Sequence, residues 1–524
     1  MGATTARPST RAATTVRPRS RAICATVWTT CSRRPSRRHR RGSSRTSTAT
    51  TAGRPISGTR SARLLAHERE HADVRALRAA YGTWVRGAGR AGFTPSENRR
   101  AFARVVAFQL VEEALLDRVF AGMGFLDEPL TGDAVERFEE VAATGGIGRD
   151  AGGVLALARE RRAAAYDRRA PDLAGWALDD DGVAGALSRT TEALDATPST
   201  DLDGDLDRAA VTYDRLLSVA DLHRIETGPA EQDPLPGALL DAAAADPLAD
   251  AAAEAGVDPL DGALLDPAVG DGRCLLAAAA RLRSGLTDAE PAERLRTLGE
   301  RLTGASPDPL ACRVTETRLL LRLLDDYREA RRADPSFVLD PLPVYCTNPL
   351  IRDGHEPAAL ARDDYDYVVG APPATLRRDV ADGPVADAYA DYETAYYTYD
   401  TSALYVERAS DWLAENGTLA LRIAGRFRGT RFGEKLRERL SQWYRLEELR
   451  EVPGEAAGGT PVLLVARRFR GNEPFADPDG YEPPPYGFTY AGGLDDQGVR
   501  RSLCRLTAGH WEWDADGDDD EVGI

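Results

Sequence analysis

The sequence predicts an α/β protein with a doubly wound, mainly parallel sheet, preceded by a helical domain. Two observations carry this. From Gly262 onward, short apolar runs alternate with helical patterns: ALLD, then LLAAAARL; an apolar turn near 302–311, then CRVTETRLLLRLLDDYREA; LPVYC, then a loop; and YDYVVG. Such alternation is the pattern of strands laid parallel and joined by crossover helices. Ahead of it, residues 61–126 read as helical. In SENRRAFARVVAFQLVEEALLDRVF, Phe102, Val105, Val106, Leu110 and Leu116 recur at helical spacing behind Ser96, the expected N-cap.

Four regions are expected. Residues 1–60 hold 14 Arg and no Asp or Glu, with no apolar periodicity. They are either a disordered basic segment, which could neutralise nucleic-acid phosphates without folding, or a start that does not belong to the folded protein. Residues 61–205 form a helical N-terminal domain ending on the linker DATPSTDLDGD. Residues 206–475 form the α/β domain, which adds the strands GTLALRIA (417–424), LEELREV (446–452) and TPVLLVARRF (460–469) behind the helices SALYVERASDWLAEN and GEKLRERLSQWY. Residues 476–524 read as a short Pro/Gly-rich and acidic tail.

Charge and composition narrow the class. The chain has 83 acidic and 67 basic residues, and all but 14 of the basic ones lie beyond position 60, so that part is strongly acidic. Lys435 is the single lysine. A dense carboxylate surface with Arg in place of Lys resembles a high-salt cytoplasmic composition, in which self-repulsion is screened. No stretch approaches the roughly 20 apolar residues needed to cross a bilayer, and a cytoplasmic location is expected. Cys24, Cys31, Cys274, Cys312, Cys346 and Cys504 form no C-x-x-C pair and have no nearby His, so neither a zinc site nor a disulfide framework is indicated. His67 and His71 lie four apart on a charged helix and read as solvated side chains; no metal is assigned.

Residues 263–280, ALLDPAVGDGRCLLAAAA, hold the strongest local signal. A buried strand runs into an Asp-Pro turn, passes Gly270 and Gly272, and continues as an Ala-rich helix. Glycines at the end of a parallel strand let a nucleotide-like molecule lie against the main chain. The dinucleotide fingerprint needs a third glycine, and Leu275 stands there instead. Asp266 at the strand tip would repel a pyrophosphate, yet could accept hydrogen bonds from an ammonium group or a ribose hydroxyl. S-adenosylmethionine carries both and has no phosphate. The plainer alternative is an ordinary strand-to-helix turn capped by Asp266.

A second constellation is DDYDYVVGAPPATLRRD (363–379), where a strand meets Ala371, Pro372, Pro373 and Ala374 at the edge where open sheets keep reactive groups. The order DPAVGDG, a helix, the DPLA turn, YDYVVG-x-PP and then LYVERASDWLAENGTLALRI resembles the gamma-type adenine-N6 DNA methyltransferases of restriction–modification systems, over roughly residues 90–470. The resemblance implies a Rossmann-like fold dependent on S-adenosylmethionine, with DNA as substrate and a separate specificity or restriction subunit as partner. It also implies a cofactor site at Asp266, Pro267, Gly270, Gly272, Ser306, Asp308 and Asn348. The family's loop reads Asn-Pro-Pro-Tyr: the Asn oxygen and the first Pro carbonyl accept hydrogen bonds from the adenine amine, and the aromatic ring stacks on the extruded base. Here Ala371 and Ala374 replace the Asn and the ring, so impaired catalysis, or a non-catalytic structural or DNA-clamping subunit, is also expected. The family's aromatic motif over the cofactor would fall at Ile225–Pro229, where the residues are IETGP. Its ribose-binding acid would align with Ser306, two residues ahead of Asp308, and Asn348 takes the place of an adenine-binding Asp.

Overall fold

The computed structural model describes residues 76–88, 94–126, 163, 165–175, 213, 252–253, 255–380, 382–428, 430–431, 433–451, 461–468, 486–489, 502–507 and 510–515. The basic segment 1–60, the linker 195–205 and the IETGP stretch lie outside the described residues.

Residues 76–87 are helical and precede the long helix α1 (Pro95–Gly122). Its N-cap is Thr94, two residues before the expected Ser96. The Thr94 hydroxyl accepts from the Glu97 amide at 3.3 Å, and the Glu97 carboxylate accepts from the Thr94 amide at 2.9 Å. This reciprocal pair, followed by Pro95 at the first helical position, is a stronger start than a serine one turn in. Thr94→Ala should lower stability by about 1 kcal/mol, a shift of a few degrees in a calorimetric melt; an unchanged melt would show that tertiary packing alone sets this helix end.

Seven strands form the main sheet: β1 (Leu264–Asp266), β2 (Leu302–Ser306), β3 (Val344–Cys346), β4 (Tyr365–Gly370), β5 (Leu413–Ala424), β6 (Tyr444–Glu451) and β7 (Pro461–Arg468). Their order is β3-β2-β1-β4-β5-β7-β6. The first five pair in parallel, and β7 runs antiparallel between β5 and β6. The expected mainly parallel, doubly wound sheet is therefore present, with an antiparallel end. The crossovers are α2 (Arg273–Gly285), α3 (Pro291–Arg301), α4 (Pro309–Ala333), the short α5 (Pro384–Tyr389), α6 (Thr401–Trp412) and α7 (Glu434–Trp443).

One expectation is corrected. The apolar turn expected near 302–311 is strand β2 followed by the first turn of α4, and β2 is buried at all five positions. Its sequence, LTGAS, carries one large apolar residue and so hides the strand pattern. The small residues are there for space: a Cβ on Gly304 would lie 2.5 Å from Leu275 Cδ1 and Val269 Cγ1.

Successive strand residues face opposite layers. Leu264, Val369, Ala420 and Leu463 share a core with α2, α4 and the N-terminal helices, including Trp84, Phe102 and Phe120. Leu265, Val368, Leu419 and Leu464 share the other core with α6 and α7. The described N-terminal helical residues thus complete one face of the sheet.

A buried charged cluster reinforces that joint. The Arg313 guanidinium on α4 bonds both Glu112 and Glu113 on α1. Glu112 also accepts from Tyr213 at 2.9 Å and Thr317 at 2.5 Å. Glu316 accepts from Tyr166 at 2.7 Å and from the Arg169 and Ala170 amides at 3.0 and 3.1 Å, while Arg168 lies 3.4 Å from Glu316 and 3.5 Å from Glu112. Burial pushes the Glu112 carboxyl up, and the Arg313 and Arg168 charges outweigh it, so its pKa is lowered.

Residues 476–524, expected as a tail, contain three antiparallel strands, β8 (Tyr486–Thr489), β9 (Ser502–Thr507) and β10 (His510–Ala515). FTY, SLCRL and HWEW supply short alternating or β-favouring runs between the Gly-, Pro- and Asp-rich stretches that dominate the composition.

Candidate active site

Parallel pairing brings the C-terminal ends of β1 to β4 to one edge of the sheet, and every candidate residue lies on the turns that leave it. At the β1 turn, buried Asp266 accepts from the Ala268 amide at 3.0 Å through Oδ1. Gly270 and Gly272 have φ of +49° and +87°, a region costly to side chains, which fixes glycine at both positions. Helix α4 buttresses the turn: Thr315 donates to the Gly270 carbonyl at 3.3 Å and Arg318 donates to the Asp271 carbonyl at 2.6 Å. A Cβ on Gly272 would press 3.0 Å from Thr315. One on Gly270 would meet nothing nearer than 3.8 Å, so that backbone stays approachable.

The β4 turn begins beside it. A Cβ on Gly370 would sit 2.8 Å from Asp266 Oδ1 and 3.4 Å from Pro267 Cδ. Glycine at 370 therefore lets the two turns touch, and Ala371 to Ala374 start next to the β1 carboxylate. Pro372 is buried, and Ala371 and Pro373 are exposed. The loop is fastened to the start of α6. Thr401 Oγ1 donates to the Pro373 carbonyl, the Thr375 amide donates to Thr401 Oγ1 at 3.1 Å, and the Thr401 amide donates to the Thr375 carbonyl at 2.9 Å. Among the described residues no donor meets the Pro372 carbonyl. It is an acceptor held in place.

The other candidates reach the same edge and are engaged locally. Ser306 Oγ accepts from the Asp308 amide at 3.1 Å, and Asp308 caps α4 by accepting from the Leu310 amide at 2.9 Å. The residue 76–87 helix ends hard against this turn, since a Cβ on Gly87 would fall 2.0 Å from the Pro307 carbonyl oxygen. Asn348 accepts from the Leu350 amide at 3.1 Å and donates to the Tyr389 hydroxyl at 3.0 Å.

Sequence reasoning missed the segment 396–401. Arg377 donates its amide to the Tyr399 carbonyl at 2.9 Å, and Leu376 and Asp400 form a backbone bridge, so this segment lies along the Pro-Pro loop. Asp400 caps α6 at the Ser402 amide at 3.0 Å; burial pushes its carboxyl above the usual range. The signal was legible as Asp-Thr-Ser ahead of an apolar helix.

Residues 300–456, from the end of α3 through β6, match the family model described as Eco57I restriction-modification methylase. Over those residues, less than a third of its length, the chain is similar to restriction-modification methylases. The matched stretch contains the Pro-Pro loop and begins after the β1 turn. A comparison with curated proteins found no match. Among solved structures, a modification subunit assigned to a type I restriction enzyme from Vibrio vulnificus YJ016 is similar at 13% identity and TM-score 0.43, covering 81% of this chain and 85% of that one. A type I restriction-modification methyltransferase subunit from Streptococcus thermophilus is similar at 12% identity and TM-score 0.41, with 76% and 85% covered. A class I S-adenosylmethionine-dependent methyltransferase from Listeria monocytogenes is similar at 10% identity and TM-score 0.33, with 69% and 88% covered.

The cofactor that the family match implies is S-adenosylmethionine, and the β1 turn offers groups that would suit it. Asp266 would offer charge to an ammonium group, Gly270 leaves its backbone open, and the β1 and β4 turns touch at Gly370. On the other side of the turn Ser306 and Asp308 bond within their own turn, and Asn348 bonds its own turn and the Tyr389 hydroxyl.

Proposed function

We propose that this DNA methylase modifies the N6 amine of adenine at an attenuated rate, with a separate specificity or restriction subunit selecting the DNA sequence. The observation that carries it is the contact of the two turns at Gly370, which starts the Pro-Pro loop, and with it the Pro372 carbonyl that no donor among the described residues meets, next to the Asp266 turn. Bound S-adenosylmethionine supplies the electrophilic methyl group. The Pro372 carbonyl accepts one amine hydrogen and orients the nitrogen lone pair, and Asp266 with the glycine turn fixes the cofactor's amino-acid end. With Ala371 in place of an acceptor, one such contact is lost. The acidic, lysine-poor composition supports a high-salt cytoplasmic setting.

The test is incubation with tritiated S-adenosylmethionine and plasmid from a methylation-deficient host, followed by digestion and nucleoside analysis. Label in N6-methyladenine above background, reduced at least tenfold by Asp266→Ala, is the expected result. Label in cytosine would overturn the adenine assignment. The second reading, a non-catalytic methylase-like subunit, is favoured by Ala371 and Ala374 together; cofactor binding by calorimetry with no methyl transfer to any DNA would establish it.

A further inference from the structure

Two chemical functions are missing from the Pro-Pro loop, an aromatic face and a polar side-chain contact. We propose that the neighbouring segment Tyr397–Tyr399 supplies both to the extruded base. This rests on the adenine-methylase reading above and adds residues that the loop motif does not contain. Tyr397 is 59% exposed, an unusual state for so large a ring, and its backbone sits at φ +55°, a region bulky residues rarely adopt. Strain of this kind persists where the surroundings enforce it and gathers at functional sites. The ring is held rather than loose: Arg431, on the turn after β5, lies 4.8 Å over it, and Tyr396 meets it edge-on at 4.6 Å. Tyr397 therefore stands between the turns that leave β4 and β5, with one face braced by a cation and the rest open to solvent.

Tyr399 adds an independent observation. It is 3% exposed, and its hydroxyl has no hydrogen-bond partner among the described residues. A buried hydroxyl left unmatched costs stability, and such groups point to a ligand that completes them. Its backbone carbonyl accepts from Arg377, directly after the Pro-Pro loop, so it sits along the wall of the same edge. A phenol can donate to a ring nitrogen or accept from an exocyclic amine, which suits adenine. The ring of Tyr397 stacks on the base, and the hydroxyl of Tyr399 meets its polar edge.

The experiment uses the full chain and a fluorescein-labelled twelve-residue oligo(dA), whose bases are already unpaired, with an abasic oligomer of equal length as control. Tyr397→Ala is expected to weaken oligo(dA) binding by about 5- to 150-fold, and Tyr397→Phe to stay within about twofold of the native chain. Binding of the abasic oligomer should be unchanged in both. Tyr399→Phe is expected to weaken oligo(dA) binding while leaving the melting temperature unchanged or higher, a combination that a purely structural tyrosine would not give. Native binding of oligo(dA) with no loss in Tyr397→Ala and Tyr399→Phe overturns the proposal and spares the methylase reading. Equal losses on the abasic oligomer overturn it too, by placing both residues on the backbone path. No binding by the native chain at any concentration overturns both.

Discussion

Arg313→Met should destabilise the protein by about 3–5 kcal/mol, the largest single-residue effect expected in this fold. The guanidinium is buried between Glu112 and Glu113, and removing it takes from both buried carboxylates a bonded cation, while Arg168 remains 3.5 Å from Glu112. Methionine fills the space, so the loss reports charge rather than a cavity. The effect should depend on pH in a definite direction. The native Glu112 pKa is lowered, so its contribution is present above its unfolded value, about 4.3, and is lost as pH falls through the folded one. In Arg313→Met, burial dominates and the pKa rises, so protonation relieves the variant and its deficit shrinks below about pH 5. Chemical denaturation at pH 7 and pH 4.5 measures both. A deficit under about 1 kcal/mol, or one that grows in acid, would show that the cluster does not act as a charged joint.

Ala371→Asn combined with Ala374→Tyr should raise the rate of adenine methylation by roughly 10²–10³. Removal of one preorganised polar contact of this kind costs about that factor, and the change restores such a contact on a backbone already fixed by Thr401. The gain belongs in kcat, with cofactor affinity unchanged, because the proposed role of the loop is to hold the base. Single-turnover kinetics on plasmid DNA decides it. If the double variant binds cofactor and remains silent, the defect lies in DNA delivery, and the partner assignment becomes the next target.

How far the sequence carried the fold depended on side-chain size. β1 and β4 were visible because LLD and YDYVVG carry large apolar residues up to the edge; β2 was read as a turn because LTGAS owes its strand to being small enough for Leu275 and Val269 to pack on it. The three C-terminal strands were masked by the Gly, Pro and Asp between them. For the site, the turn after β1 was readable in its backbone, because Gly270 and Gly272 take the left-handed conformation that glycine favours. The bonds of Ser306, Asp308 and Asn348 were not, since a polar side chain in a turn serves its own backbone as readily as a ligand. The tyrosines at 397 and 399 left no periodic trace, and their placement beside the loop arises from a long-range backbone bridge.

The Glu112–Arg313 joint has a consequence for how the molecule responds to ionic strength. At about 1 M salt, charges at the surface cease to feel one another beyond roughly 3 Å, so exposed pairs such as Arg281–Asp258 and Arg467–Glu447 keep only their direct contact and lose the support of the charges around them. The α1–α4 cluster is closed to solvent ions and keeps its attraction. Raising salt should therefore loosen the periphery without freeing the N-terminal helices from the sheet, and amide exchange in α1 should be as slow in brine as in dilute buffer.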